Sequence, residues 1–199
     1  MKIVERLLSV TGLRRRTVAS ANAANEAAAR IVVTAGTVLE HEYPLLRHLV
    51  EESNSRPGPI IEIGTLFGFT TSRIAVALAP GKRIITVDNY SWNPWHLSSE
   101  QHYAMTANVL HYLRAVGKVE QVRCDKDEFY REYRDEPPAL VFLDAIHTYS
   151  ETKADIEWAR KMKAAIITGH DYSDEFPGIK KAVEEFGGPV SLCGTVWRL

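Results

Sequence analysis

Short apolar runs and longer amphipathic stretches alternate along the chain from residue 58 onward. Ile60–Ile63, Arg83–Val87, Glu120–Cys124, Ala139–Leu143 and Ala165–Thr168 are four or five residues long, and each is followed by glycine or aspartate. Most are dominated by Val, Ile and Leu, the pattern of strands buried between two layers. Helical spacing fills the intervals: Thr70–Leu78, Ser98–Val116, a short piece near Lys126–Tyr133, Tyr149–Met162 and Gly178–Phe186. Repeated strand–helix units predict an α/β fold, a doubly wound and mostly parallel sheet with helices on both faces. The last segment, Pro189–Leu199, holds two short strands around Gly194 with no helix between them. It predicts an antiparallel edge hairpin.

The first 57 residues follow a different pattern. Ile3, Val4, Leu7, Leu8 and Val10 recur at helical spacing, Asn22–Val33 is alanine-rich, and Leu39–Val50 repeats Leu45, Leu46, Leu49 and Val50. These predict N-terminal helices over 1–57, ahead of a main domain over 58–199. Arg14, Arg15 and Arg16 interrupt the first pattern and read as a solvated face.

Composition narrows the classes. A chain of 199 residues with 45% hydrophobic and 25% charged positions can bury one core as one compact domain. The net charge of −1 supplies no pull toward nucleic acid or an anionic membrane. No apolar run approaches membrane-spanning length, and MKIVERLLSV lacks the features of a signal peptide. Cys124 and Cys193 lie far apart without metal-ligand spacing, as expected for reduced thiols of a cytoplasmic protein.

Candidate chemistry begins at the first strand. Pro57-Gly58-Pro59 precedes it, and Gly64 and Gly68 frame a turn into the helix that Thr70 and Thr71 can cap. A strand, a glycine turn and a helix N-terminus expose N–H groups to a carboxylate or a phosphate, although an ordinary strand-to-helix turn has the same form. The second strand ends in Asp88, 24 residues after Gly64, where a carboxylate can accept hydrogen bonds from ribose hydroxyls.

The string IIEIGTLFGFTTSRIAVAL followed by RIITVDNY resembles the cofactor half of class I S-adenosylmethionine-dependent methyltransferases. Within them it is most similar to the catechol and macrocin O-methyltransferase group, which uses E-x-G-x-x-x-G. The resemblance spans roughly residues 58–199 and implies the Rossmann-like methyltransferase fold, with an antiparallel edge at its end and the helices of 1–57 as a cap over the cofactor or acceptor pocket or as a homodimer interface. It implies S-adenosylmethionine held by Glu62, Gly64, Thr65, Leu66, Gly68, Thr70, Asp88, Asn89, Asp125 and Asp144. Asp125 would lie beside the adenine; read by itself it is equally an exposed polar turn before a helix.

The fourth and fifth strands carry the rest. Asp144 follows an apolar strand, so it either faces the ligand crevice or caps the next helix. His147 stands three residues on, at the position where catechol-type relatives carry a basic catalytic residue, and its ordinary pKa near 6.5 suits a general base. The fifth strand ends in His170 and Asp171. Asp144, His170 and Asp171 could hold a divalent cation, magnesium, manganese or another transition metal, or the last two could cap a loop. Trp92 and Trp95 could stack on the adenine, wall an acceptor pocket or plug a loop, whereas Trp158 and Trp197 fall at core positions.

Together these features predict an S-adenosylmethionine-dependent O-methyltransferase acting on a hydroxyl of a small molecule, metal-assisted, with His147 and Asp144 at the reacting centre. A non-catalytic adenosyl-binding protein and a nicotinamide-dependent oxidoreductase are the rival readings. The absent G-x-G-x-x-G counts against the second.

Overall fold

The structure is a computed structural model and describes residues 38–92 and 96–199. Helix α1 (Tyr43–Ser53) leads into β1 (Ile60–Ile63), α2 (Phe69–Ala77) and β2 (Ile84–Asp88). Helices α3 (Ser99–Val109) and α4 (His111–Ala115) precede β3 (Val119–Arg123), α5 (Lys126–Glu132) and β4 (Leu140–Leu143). Then come α6 (Tyr149–Lys161), β5 (Ile167–Gly169), α7 (Pro177–Glu185) and the hairpin β6 (Ser191–Cys193) and β7 (Val196–Arg198).

The seven strands run in the order β3-β2-β1-β4-β5-β7-β6. All pairs among β1 to β5 are parallel, and β7 joins β5 and β6 antiparallel, as the terminal hairpin predicted. The order reverses between β1 and β4, and at such a switch point the carboxyl ends of the strands open a crevice.

Strand alternation divides the core into two layers. Ile61, Ile63, Ile85, Val87, Val141 and Leu143 face α5, α6 and α7. Ile60, Ile84, Leu140 and Phe142 face α1 and α2, where Leu46, Leu49 and Val50 of α1 are fully buried. Trp158 and Trp197 are core residues, as their positions implied.

Two predicted helices change shape. The pattern from Leu39 becomes helical only at Tyr43, because the Glu42 side chain accepts the Leu39 N–H at 2.8 Å and closes a loop instead. The stretch Ser98–Val116 breaks at Leu110, whose fully buried side chain turns inward toward Gly68. Its start is as expected: Ser98 and Gln101 form a reciprocal capping box.

The predicted helices at 3–10 and 22–33, the arginine triplet and Trp95 lie outside the described residues. Among the described residues, no helix is long and apolar enough to cross a membrane.

Candidate active site

The glycine turn sits at the switch point. Gly64 has φ +99°, a region L side chains rarely adopt, and a Cβ there would overlap the Asp144 carbonyl. The Gly64 N–H donates to Val87 O at 2.9 Å, and the Asp144 N–H donates to Ile63 O at 2.9 Å. The turn therefore joins the ends of β1, β2 and β4. Thr70 and Thr71 do not cap α2, contrary to expectation: Gly68 occupies the cap position without a side-chain bond, and both threonines lie inside the helix. Thr70 Oγ1 instead accepts the Val38 N–H at 3.4 Å.

Asp88 closes the turn. Its Oδ2 accepts the N–H groups of Thr65 and Leu66, each at 2.9 Å, and its Oδ1 accepts the Tyr90 N–H at 2.7 Å. These bonds hold Leu66 and Tyr90 at φ +51° and +58°. A carboxylate offers about four lone-pair sites, so Asp88 has room for roughly one further donor.

Glu62 is the buried acid of the site. Strand alternation puts it on the α2 face, with no exposed surface, opposite Thr86 across the strand pair. Its Oε2 accepts from the Thr71 and Thr86 hydroxyls at 2.5 and 2.6 Å, while Oε1 has no hydrogen-bond partner among the described residues. Burial pushes its pKa up to about 8 against the pull of the two hydroxyls, with Asp144 and Asp88 adding to the rise. Thr86 escaped the sequence reading, which took Thr71 only as a possible cap. The signal was a threonine in the otherwise apolar run Ile84–Val87, directly across the sheet from a glutamate.

The carboxyl ends of β4 and β5 bring Asp144, His147, His170 and Asp171 together. His147 Nε2 lies 3.1 Å from Asp171 Oδ2, and that close carboxylate, which outweighs partial burial, raises the histidine's pKa. Asp171 sits at φ +62°. Burial raises the Asp144 pKa, opposed by His170. Asp144 does not cap α6, where Thr148 accepts the Glu151 N–H, and neither His170 nor Asp171 caps α7.

The grouping of candidate ligand atoms differs from the predicted one. One atom each from Asp144, His147 and Asp171 lie within 4.8 Å of one another, whereas the expected third member was His170. His170 is turned inward: its Nε2 meets Glu42 Oε2 at 3.0 Å. Its Nδ1 lies 3.5 Å from Asp144 Oδ1 and 3.4 Å from Asp171 Oδ1, ionic contacts without hydrogen-bond geometry. Burial opposes its protonation, but the surrounding carboxylates raise its pKa to about 9.

Asp125 is an exposed N-cap of α5, accepting the Asp127 N–H at 2.9 Å, with Asn89 Nδ2 at 3.4 Å. Glu42, which sequence reasoning missed because it took Leu39–Val50 as one helix defined by its leucines, is only 1% exposed. A shallow hollow of about 330 Å³ opens at the opposite, amino ends of the strands, lined by residues including Pro57, Lys82, Arg83 and Asp135. Its cations are already engaged, Arg83 with Asp135 and Glu120 and Lys82 with the Arg56 carbonyl.

A parallel sheet of this order, with a glycine turn and acids at its switch point, defines a nucleotide-cofactor fold of the methyltransferase type. Residues 61–172, more than half the chain, match the family described as "Methyltransferase domain", and the chain belongs to that family. No curated protein sequence matches the chain. Among solved structures, it is similar to an O-methyltransferase from Bacillus cereus in complex with S-adenosylhomocysteine. That match has 23% identity and TM-score 0.58, covering 85% of this chain and 76% of that one. A second is a putative O-methyltransferase from Klebsiella pneumoniae, at 18% identity and TM-score 0.60 over 77% and 70% of the two chains. A third is CalS11, a TDP-rhamnose 3′-O-methyltransferase of calicheamicin biosynthesis, at 19% identity and TM-score 0.58 over 80% of each. At these identities the likeness establishes the fold.

Proposed function

We propose that the protein is an S-adenosylmethionine-dependent O-methyltransferase acting on a hydroxyl of a small molecule. One observation carries the reading: the joined glycine turn, Asp88 and Glu62 lie beside an acid–histidine pair at the same end of the sheet. Several neighbours in fold are O-methyltransferases, one of them crystallised with S-adenosylhomocysteine.

The residues present fit such a cofactor: among the described residues, buried Glu62 Oε1 lacks a hydrogen-bond partner, which a bound donor could supply. Gly64, Thr65, Leu66, Gly68 and Thr70 form the cradle, and Asp88 has capacity for one ribose hydroxyl. Asn89 and Asp125 would flank the adenine. S-adenosylmethionine, when bound, supplies a methyl group on a positive sulfur that an oxygen nucleophile can displace.

His147 is the general base of this reading. With Nε2 facing Asp171 and carrying the ring proton, Nδ1 holds the lone pair that takes the acceptor's hydroxyl proton, and Asp171 steadies the resulting imidazolium. Asp144 shares the crevice and adds negative charge beside that cation.

A second reading is favoured by the ligand grouping. Atoms bound to one cation at about 2.0 to 2.4 Å lie at most about 4 to 5 Å apart, and Asp144, His147 and Asp171 meet that limit. A divalent ion there would supply a Lewis acid for the acceptor oxygen, and His147 would be a ligand instead of a base. Labelled methyl transfer to a panel of hydroxylated acceptors, before and after exhaustive chelation, separates the two. The base reading expects full activity after chelation and a loss of roughly 10²- to 10⁴-fold in His147→Ala. Activity abolished by chelation and restored by manganese or magnesium would replace it with the metal reading. Absence of both transfer and cofactor binding would overturn the proposed function.

A further inference from the structure

Glu42 and Thr195 lie outside the two ends of the family match, yet both are built into the site. Glu42 has four polar contacts and nearly no exposed surface. Its Oε1 accepts the Thr195 N–H at 2.6 Å and the Thr195 hydroxyl at 2.8 Å. Its Oε2 accepts the Leu39 N–H at 2.8 Å and meets His170 Nε2 at 3.0 Å. These donors draw its pKa down to about 2 despite the penalty of burial. Gly194 packs against the glutamate stem so closely that a Cβ there would lie 2.5 Å from Cγ. The fit is too complete for an incidental surface acid.

What these contacts support is the backbone around Asp171. A non-glycine residue at φ +62° persists when its neighbours hold it there. On one side is His170, whose ring is fixed by Glu42, whose N–H donates to Leu143 O, and whose carbonyl accepts from Trp197 Nε1. On the other is Tyr172, whose N–H donates to the carbonyl of Thr195, the residue Glu42 grips twice. Glu42 thus reaches both flanks of Asp171. Through the ring of His170 it also sets Nδ1 between the Asp144 and Asp171 carboxylates.

We propose that Glu42 is a positioning residue: through His170 and Thr195 it holds Asp171 in the conformation that orients His147. The inference rests on the reading of His147 and Asp171 as reacting-centre groups. Glu42→Gln is the direct test, because its single acceptor oxygen cannot serve the four donors.

Three measurements distinguish positioning from general support of the fold. Histidine ¹⁵N–¹H spectra of the cofactor-free chain should show the signals of both His170 and His147 moving in Glu42→Gln. Phe129→Ala, a truncation in α5 against the face of the sheet opposite α1, should move neither at a temperature where it is folded. With an active acceptor, kcat should fall about 10- to 100-fold in Glu42→Gln while KM for the cofactor changes less than about threefold. In a cycle with His170→Asn, the two losses should be strongly non-additive, since both act through one chain of contacts. An unmoved His147 signal, or a kcat loss shared equally by Phe129→Ala, would overturn the proposal. If wild type transferred no methyl group, the function reading would fail, while the spectra would still decide the positioning.

Discussion

Replacing Glu62 by glutamine exchanges an acid for its neutral isostere in a fully buried site, and it should remove a pH dependence from the stability of the fold. The folded carboxyl titrates at about 8, against an ordinary value of 4.5, with burial as the largest cause. Between those values the folded chain keeps a proton that the unfolded chain releases. The stability tied to that proton is fully present below about 4.5 and is lost as pH rises toward 8. At 1.36 kcal/mol per pH unit, the gap amounts to about 5 kcal/mol as an upper bound, of which about 4 falls between pH 5 and 8. The Glu62→Gln variant has no such titration. It does place an amide where the unpartnered oxygen stands, at a pH-independent cost of roughly 1 to 3 kcal/mol. Urea midpoints of both proteins from pH 5 to 9 test this at fixed ionic strength. The difference in stability should shift toward the variant by several kcal/mol as pH rises. His147 and His170, both raised, also lose stabilising protons on the alkaline side, but they are common to the two proteins. Parallel profiles would refute the placement of a protonated Glu62 in the core.

Asp88→Ala removes the acceptor for three backbone N–H groups, and isothermal calorimetry should show S-adenosylmethionine affinity falling roughly 100-fold or more. Unchanged affinity would detach Asp88 from the cofactor. Gly64→Ala sets a Cβ against the Asp144 backbone at a positive φ, and should cost about 2 to 4 kcal/mol in urea unfolding. Asp155→Ala strips buried Lys126 of its 2.7 Å partner and the Tyr130 hydroxyl of its acceptor, leaving Glu151 at 2.9 Å. A loss near 3 kcal/mol is expected in the same assay, with cofactor binding unchanged; a loss under about 1 kcal/mol would mean the pair is solvated in solution.

The strands and their order of appearance were legible because burial on both faces leaves apolar runs, and because parallel pairing demands a crossover helix after each. The same local logic exposed the turn at Gly64 and Gly68, where backbone conformation itself requires glycine. Asp88 and Asp144 could be placed at strand ends by counting along the chain. Their partners could not. Whether an acid at a strand end faces a ligand, caps a helix or grips a turn depends on donors brought from elsewhere, and Asp125 capped its helix while Asp144 did not. Thr86 meets Glu62 only because β1 and β2 pair in one register, which no periodicity within either strand records. The histidines are the clearest case. Sequence spacing put His170 with Asp144 and Asp171, but Glu42, 128 residues away, draws one nitrogen inward and leaves His147 to meet Asp171. Local pattern determines which backbone segments can be strand, turn or helix, since each segment's conformational energy is nearly its own. Which polar atoms find each other in the crevice was decided by the tertiary structure, because a buried charge is stable only where distant segments supply its hydrogen bonds.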